Sequence, residues 1–115
     1  MFKRNIKKAS KDRGFLSEES FHDLRIKNSA ISCGDVEHRR RSRVVGQVTS
    51  LRIVPRGKSQ WLEVVIKDGT GIINGWFFGR KEIPGMAPGA NVLFEGLVQL
   101  DEGEMTIANP YYEYL

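Results

Sequence analysis

The sequence predicts an all-β fold, a small closed barrel of five antiparallel strands, over roughly its last two thirds. Five β-rich segments follow one another between Arg43 and Leu115, and turns rich in glycine or proline separate them. The connections are too short for crossover helices, and a sandwich would usually need more strands. Because closure into a barrel removes exposed sheet edges, a barrel is the favoured architecture.

The five strands are predicted from alternating apolar residues and from the turns that bound them. Gly46 permits tight coiling of the first strand, and Ser50-Leu51 shifts its alternation as a β-bulge would. Asp68-Gly69-Thr70-Gly71 is predicted to be a hairpin turn that needs a positive φ at a glycine. Asn109-Pro110 is predicted to break the ladder after the last of these strands. The predicted strands are Arg43–Val54, Trp61–Lys67, Ile72–Phe78, Asn91–Leu100 and Met105–Ala108.

The chain before the barrel divides into two segments. Residues 1–14 are predicted to be a basic, flexible tail, and residues 15–42 an extension that contains a short helix over about Glu18–Lys27. Ser17 suits the N-cap, and two glutamates follow it in the first turn, where they oppose the helix dipole. Phe21 and Leu24 share one face, so the helix is expected to pack against the barrel, which occupies residues 43–115.

Charge is distributed unevenly along the chain. Residues 1–81 contain all 18 Lys and Arg residues and eight of the 14 Asp and Glu residues, a net charge of +10. Residues 82–115 contain six acidic residues and no Lys or Arg, a net charge of −6. The protein is therefore expected to have a basic surface, suited to a polyanion, and an acidic one.

Hydropathy and cysteine content exclude several classes of protein. No apolar run exceeds three residues, whereas a membrane span needs about 20 and a signal peptide about 7–15. Cys33 is the only cysteine, so no intrachain disulfide is possible and nothing implies secretion. A cytoplasmic protein without a membrane partner is therefore expected.

The sequence contains no pattern that predicts chemistry. Cys33, Asp35 and His38 match no zinc-ligand spacing, and no phosphate-binding Gly-x-x-x-x-Gly-Lys-Ser/Thr loop is present. The carboxylates form no pair that can be assigned to a cleft. We therefore expect a binding protein with no catalytic residues, no metal site and no cofactor.

A family resemblance covers about two thirds of the chain. It is carried by Val44–Val48, Leu62–Gly71, Trp76-Phe77-Phe78 and Asn109–Glu113. These segments resemble the OB wedge domain of RecG-type branched-DNA helicases, and still more short stand-alone bacterial OB-fold nucleic-acid-binding proteins. The resemblance implies a five-stranded OB-fold Greek-key barrel that binds nucleic acid, although OB barrels also bind oligosaccharides and proteins. Gly75 departs from the family, which usually has an aliphatic residue there.

A candidate nucleic-acid interface follows from charge and alternation together. The segment from Arg39 to Lys58 contains seven basic residues and no acidic one, which suits a track of phosphates. On the second and third strands, alternation places Trp61 and Trp76 on the outer face, where aromatic rings can stack bases. Packing of Trp76 under the helix would satisfy its burial equally well, and Arg39-Arg40-Arg41 can equally be a solvated run. The candidate residues are Arg43, Gln47, Arg52, Arg56, Lys58, Trp61, Lys67, Asn74, Trp76 and Phe78.

Two functions remain open from the sequence. The favoured one is a module that binds single-stranded or branched DNA or RNA with little sequence preference. The alternative is a protein–protein adaptor, which the acidic turn at Asp101–Glu104 favours because it should repel phosphate. The core of so short a barrel is marginal, so the helix or a second copy of the chain is expected to cover it, and a homo-oligomer is possible.

Overall fold

The computed structural model describes residues 15–115, and the predicted basic tail, residues 1–14, lies outside them. A helix, a single 3₁₀ turn at Cys33–Asp35 and six strands follow one another along the chain. Four of the five predicted strands extend one or two residues beyond an expected bound, and the strand Ile72–Phe78 matches its predicted bounds. The elements are α1 Glu18–Lys27, β1 Arg41–Arg56, β2 Ser59–Lys67, β3 Ile72–Phe78, β4 Asn91–Asp101, β5 Glu104–Ala108 and β6 Tyr111–Tyr114.

Five of the strands close into a barrel in the order β1-β2-β3-β5-β4, with β4 pairing back to β1. All these pairs are antiparallel except β3–β5, so the expectation of a wholly antiparallel barrel was wrong at one seam. The chain crosses from β3 through the loop Gly79–Ala90 to β4 and then turns back. That reversal brings β5 beside β3 in the same direction, with Asn74 opposite Thr106 and Trp76 opposite Ala108.

Asn109-Pro110 interrupts the ladder after β5, as predicted, but a sixth strand that the sequence analysis did not predict follows it. Asn109 adopts a φ of 47°, its N–H donates to the Trp76 carbonyl, and its side chain accepts from the Phe78 N–H. The chain thereby leaves β5 and forms β6, which pairs antiparallel with the first half of β4. Tyr112 on β6 packs edge-on against Phe77, so the final segment does pack on the barrel.

The barrel core follows the predicted alternation. Leu62, Val64 and Ile66 of β2 point inward and are at most 2% exposed. Gly75 is explained by the ring of Phe94, because a Cβ at Gly75 would lie 2.6 Å from Phe94 Cε2. The aromatic ring from β4 therefore fills the space that an aliphatic side chain on β3 would occupy. Thr49 is the extra residue of a bulge in β1, where pairing with β2 shifts between Val48 and Ser50.

Helix α1 packs on the outer surface of the barrel, as its apolar face predicts. Ser17 caps it by accepting a hydrogen bond from the Ser20 N–H, and Phe21 is fully buried. Phe21 contacts Val45 of β1 and Leu93 of β4, two neighbouring side chains that point out of the barrel. The helix therefore covers this apolar face without a second copy of the chain.

Asp68 connects the extension to the barrel. Its carboxylate is fully buried and accepts hydrogen bonds from the N–H groups of Cys33, Thr70 and Gly71 and from the Thr70 hydroxyl. Arg25 of α1 lies 3.6 Å from the same carboxylate. Burial opposes ionisation of Asp68, but these hydrogen bonds and Arg25 outweigh it and hold its pKa below the usual value.

The two glycines of the β2–β3 turn are required for different reasons. Gly69 has the predicted positive φ, +90°, which strains any residue with a Cβ. Gly71 does not, but a Cβ there would lie 2.9 Å from the backbone of Gly34 in the extension. The turn is therefore shaped both by its own backbone and by the segment docked on it.

Gly69→Val is expected to lower the free energy of unfolding by about 1–3 kcal/mol, because a β-branched residue is strained at that φ. Space is not the limit, since the nearest atom to the added Cβ is Phe15 Cε2 at 3.8 Å. Urea unfolding of the variant and wild type measures the difference. Equal stability of the two proteins would contradict the assigned turn conformation.

No helix within residues 15–115 is long and apolar enough to cross a membrane. In the same part of the chain, no three His, Cys, Asp or Glu side chains lie close enough together to hold a metal ion. Burial raises the pKa of the Cys33 thiol, and its Sγ donates to the Val45 carbonyl. Cys33 therefore acts as a buried packing residue of the docked extension.

Candidate functional site

Two hairpins flank a cleft on the outer face of the barrel. The β1–β2 hairpin turns at Gly57-Lys58 and the β4–β5 hairpin at Glu102-Gly103, both as two-residue turns with positive-φ residues. The cleft between them has a volume of about 230 Å³. Its lining includes Arg56, Trp61, Trp76, Gln99, Asp101 and Thr106. The wall on the β1–β2 hairpin is thus basic, because it contains Arg56, and the wall on the β4–β5 hairpin is acidic, because it contains Asp101.

An aromatic cluster lies on the basic side of the cleft, beside Arg56. The ring centroids of Trp61 and Trp76 lie 6.3 Å apart, and those of Trp61 and Phe78 lie 5.1 Å apart, both pairs edge-to-face. The guanidinium carbon of Arg56 lies 5.8 Å from the Trp61 ring and 5.5 Å from the Trp76 ring. Such cation–π contacts contribute about 0.5–1 kcal/mol at exposed sites.

Strand register explains why these side chains meet. Trp61 stands opposite Phe78 across β2 and β3, and Trp76 lies one outward position further along β3. Phe78 is 54% exposed and both tryptophans are partly exposed. The helix packs instead on Val45 and Leu93, so Trp76 is not buried beneath it. The rings therefore form an accessible aromatic surface on the outward side that the alternation of the sequence predicted.

A hydrogen-bonded network lies beside the rings on the same face. The Asn74 amide donates to Glu63 Oε2 and to Glu104 Oε1, each at 2.9 Å. Glu63 is 4% exposed and its other oxygen accepts from Arg52 Nε, which raises the pKa of the Arg52 guanidinium further. Two predicted site residues, Arg52 and Asn74, are therefore paired with carboxylates, and the negative charge of Glu63 opposes the attraction of a phosphate to Arg52.

Lys67 is exposed but lies at the far end of the same face. It lines a separate cleft of about 530 Å³ with Phe15, Thr49 and Ile72. Six residues of extended strand separate it from Trp61, a distance of about 20 Å. Lys67 is thus on the predicted face but not in the cleft between the hairpins.

Arg43 and Gln47 lie away from the cleft. Arg43 donates from Nε to the Asn28 carbonyl at 3.0 Å and pairs through Nη1 with Glu95 at 2.7 Å. Gln47 is 9% exposed and donates to the Gly89 carbonyl at 3.2 Å. Arg43 therefore links the extension to β4, and Gln47 is hydrogen-bonded to the loop that precedes β4.

The run Arg39-Arg40-Arg41 leads into β1, and its backbone is paired with β4. The Arg39 N–H donates to the Val98 carbonyl, and the Val98 N–H donates to the Arg40 carbonyl. Arg40 lies 3.6 Å from Glu37, and both side chains are exposed. The run is thus exposed and lies next to β4.

Sequence reasoning missed the contribution of the β4–β5 hairpin to the cleft. Gln99 and Thr106 are paired across that hairpin, and Thr106 is paired with Asn74 across the parallel seam. Asp101 lies two residues beyond Gln99 on the same outward side of β4. The alternation of β4 and β5 could have marked these residues as outward, but only the parallel pairing of β3 with β5 places them beside Trp76.

Comparison with known proteins matches residues 43–115 to a family model described as an OB-fold nucleic acid binding domain. None of the curated proteins compared matches the chain. Among solved structures, the fold is similar to a replication factor A-related protein from Methanobacterium thermoautotrophicum, with 18% identity and a TM-score of 0.53. That match covers 75% of this chain and 90% of the other, and at this identity it shows the fold alone.

Proposed function

Since the chain belongs to the OB-fold nucleic acid binding domain family through residues 43–115, we propose that it is a non-enzymatic module for single-stranded or branched DNA or RNA. The observation that carries this proposal is the accessible aromatic cluster of Trp61, Trp76 and Phe78 directly beside Arg56, with Lys58 at the turn of the same β1–β2 hairpin. Base stacking and phosphate neutralisation are the two interactions that single-strand binding requires.

Little sequence preference is expected overall. Stacking on Trp61 and Trp76 is tolerant of sequence because every base has a π-face, and Arg56 and Lys58 meet phosphates that all nucleotides share. The resemblance of the strands and turns to RecG-type wedge domains supports a forked or branched substrate, at which unpaired bases are available for stacking. Duplex DNA offers no such bases and is expected to bind more weakly.

The adaptor alternative rests on a different observation. The acidic hairpin tip at Asp101–Glu104 and the exposed side chains of Leu97 and Tyr111 form surfaces that suit a protein partner. An adaptor of this kind would bind without nucleic acid and would not use the two tryptophans for stacking. A homo-oligomer would be one form of this alternative.

The salt dependence of binding tests the proposed function. We expect the logarithm of the affinity for a single strand of about 15 nucleotides to fall linearly with the logarithm of salt concentration, by about 0.7 per phosphate contact. Arg56→Ala and Lys58→Ala should each reduce that slope. The thermal midpoint should stay unchanged in Lys58→Ala, whose side chain is exposed, and should fall slightly in Arg56→Ala, which loses its cation–π contacts. Fluorescence anisotropy at several salt concentrations measures the slopes.

Lys27→Ala is the matched control, because it removes one exposed positive charge from α1, away from the cleft. Its slope should equal that of the wild type. A slope that changes equally in all three variants would indicate general electrostatic attraction rather than a track at the hairpin. No binding of single-stranded or forked DNA or RNA at 50 mM salt would leave the adaptor as the remaining function.

A further inference from the structure

We propose that the cleft between the two hairpins seats one nucleobase, with Asp101 selecting guanine by accepting hydrogen bonds from its edge. This inference rests on the proposed function and refines it, because it adds one base-selective position to a surface that otherwise tolerates any sequence. The cleft is small. About 230 Å³ is below the roughly 300–1,000 Å³ typical of sites for drug-sized ligands, and suits a single planar ring system.

The cleft offers both kinds of contact that a base makes, which are stacking on its face and hydrogen bonding at its edge. Trp61 and Trp76 offer aromatic faces, and Arg56 lies over both rings, so a base that enters can stack on a ring and contact the guanidinium. Thr106 and Gln99 form the side that faces the rings. Aromatic stacking with polar groups at the edge is how proteins read a base taken out of its stack.

The opposite charges of the two hairpins orient the strand. Phosphates are attracted to Arg56 and Lys58 on the β1–β2 hairpin and repelled by Asp101 and Glu102 on the β4–β5 hairpin. A nucleotide in the cleft therefore places its sugar-phosphate side towards the basic wall. Its base edge then points towards the acidic wall, where a carboxylate meets hydrogen-bond donors rather than phosphate oxygens.

On the acidic wall, Asp101 is the residue able to accept hydrogen bonds from the edge of the base. Glu104, which is paired with it across the hairpin, already accepts from Asn74. The Asp101 carboxylate, by contrast, makes no hydrogen bond or ion pair with another side chain of residues 15–115, and it lines the cleft. An ionised carboxylate only accepts hydrogen bonds, so it discriminates bases by the donors they present.

Guanine matches a carboxylate better than the other bases do. Its N1–H and N2 amino group are adjacent donors on one edge, which two carboxylate oxygens accept together. Adenine and cytosine present one amino group each. Thymine and uracil present a single N–H between two carbonyl oxygens, which a carboxylate repels. A bidentate base contact implies at least a roughly fivefold preference for guanine.

The test uses strands of about seven nucleotides, within the roughly 4–16 nucleotides that one OB barrel covers. Oligothymidylate is compared with strands in which the central base is guanine, adenine, cytosine or hypoxanthine, and oligouridylate with the matching RNA set. Tryptophan quenching measures each affinity. We expect guanine to bind at least roughly fivefold more tightly than thymine, and hypoxanthine, which lacks the N2 amino group, to lose most of that advantage.

Asp101→Asn is expected to abolish the guanine preference, because the amide retains one acceptor and adds a donor. Glu102→Gln is the matched control: it removes the same charge from the neighbouring residue at the hairpin tip and should keep the preference. Equal affinity for all central bases, or a preference that persists in Asp101→Asn, would overturn this inference while leaving the proposed function intact. Failure of every strand to bind would overturn both.

Discussion

Asp68→Ala is expected to lower the free energy of unfolding by about 3–5 kcal/mol, because it removes a fully buried carboxylate and leaves its donors without an acceptor. The N–H groups of Cys33, Thr70 and Gly71 would all lose their partner, and Arg25 would lose the charge that it faces. Urea unfolding followed by tryptophan fluorescence measures the difference.

The stabilisation by Asp68 should also depend on pH. Since the pKa of Asp68 is lower in the folded state than the unfolded value of about 3.9, its contribution is fully present above that value. It is lost as the pH falls through the lower, folded-state pKa. Asp68→Asn retains one acceptor but cannot ionise, so this variant should lose less stability than the wild type between pH 5 and pH 2. An identical loss in both proteins would show that other carboxylates cause acid unfolding.

Replacing both Trp61 and Trp76 with alanine is expected to weaken binding to a single strand by about 2–6 kcal/mol, if each ring stacks one base. The rings are in contact, so their single effects should not add completely. Affinity should fall at all salt concentrations while the salt slope stays nearly constant, because stacking releases no counterions. Fluorescence anisotropy with a labelled strand measures both quantities.

Tyr111→Ala is the control for this experiment. Tyr111 is 55% exposed and lies opposite Glu95 on β4, outside the aromatic cluster. Its replacement should leave affinity unchanged. Unchanged affinity in the double tryptophan variant would contradict stacking on this face, whereas equal weakening by Tyr111→Ala would indicate that the ligand uses another side of the barrel.

Much of the fold could be predicted because local patterns and global structure agree. The alternation of β2 and β3 placed Leu62 and Val64 inside and Trp61 and Trp76 outside, since successive side chains of a strand point to opposite faces. The cap at Ser17 and the apolar pair on the helix predicted α1 and its docking on the barrel. Both features depend on residues close together in sequence.

The turn at Asp68 shows the limit of local reasoning. The sequence predicted a hairpin and a positive φ, and Gly69 confirms both. It did not predict that the Asp68 carboxylate binds the Cys33 N–H, 35 residues earlier, or that Gly71 packs on Gly34. Those contacts arise only when the extension folds back, and no periodic pattern in either segment encodes them.

By itself, the sequence determined five of the six strands, the outward positions of the aromatic rings and the unequal charge of the two hairpins, because these follow from alternation and composition. The tertiary structure alone decided which outward residues meet. The parallel β3–β5 seam brings Thr106 beside Asn74 and places the acidic hairpin across from the basic one. Closure of the barrel also carries Arg43 of β1 to a different side of the surface from the tryptophans, whereas Lys67 is separated from Trp61 by six residues along β2.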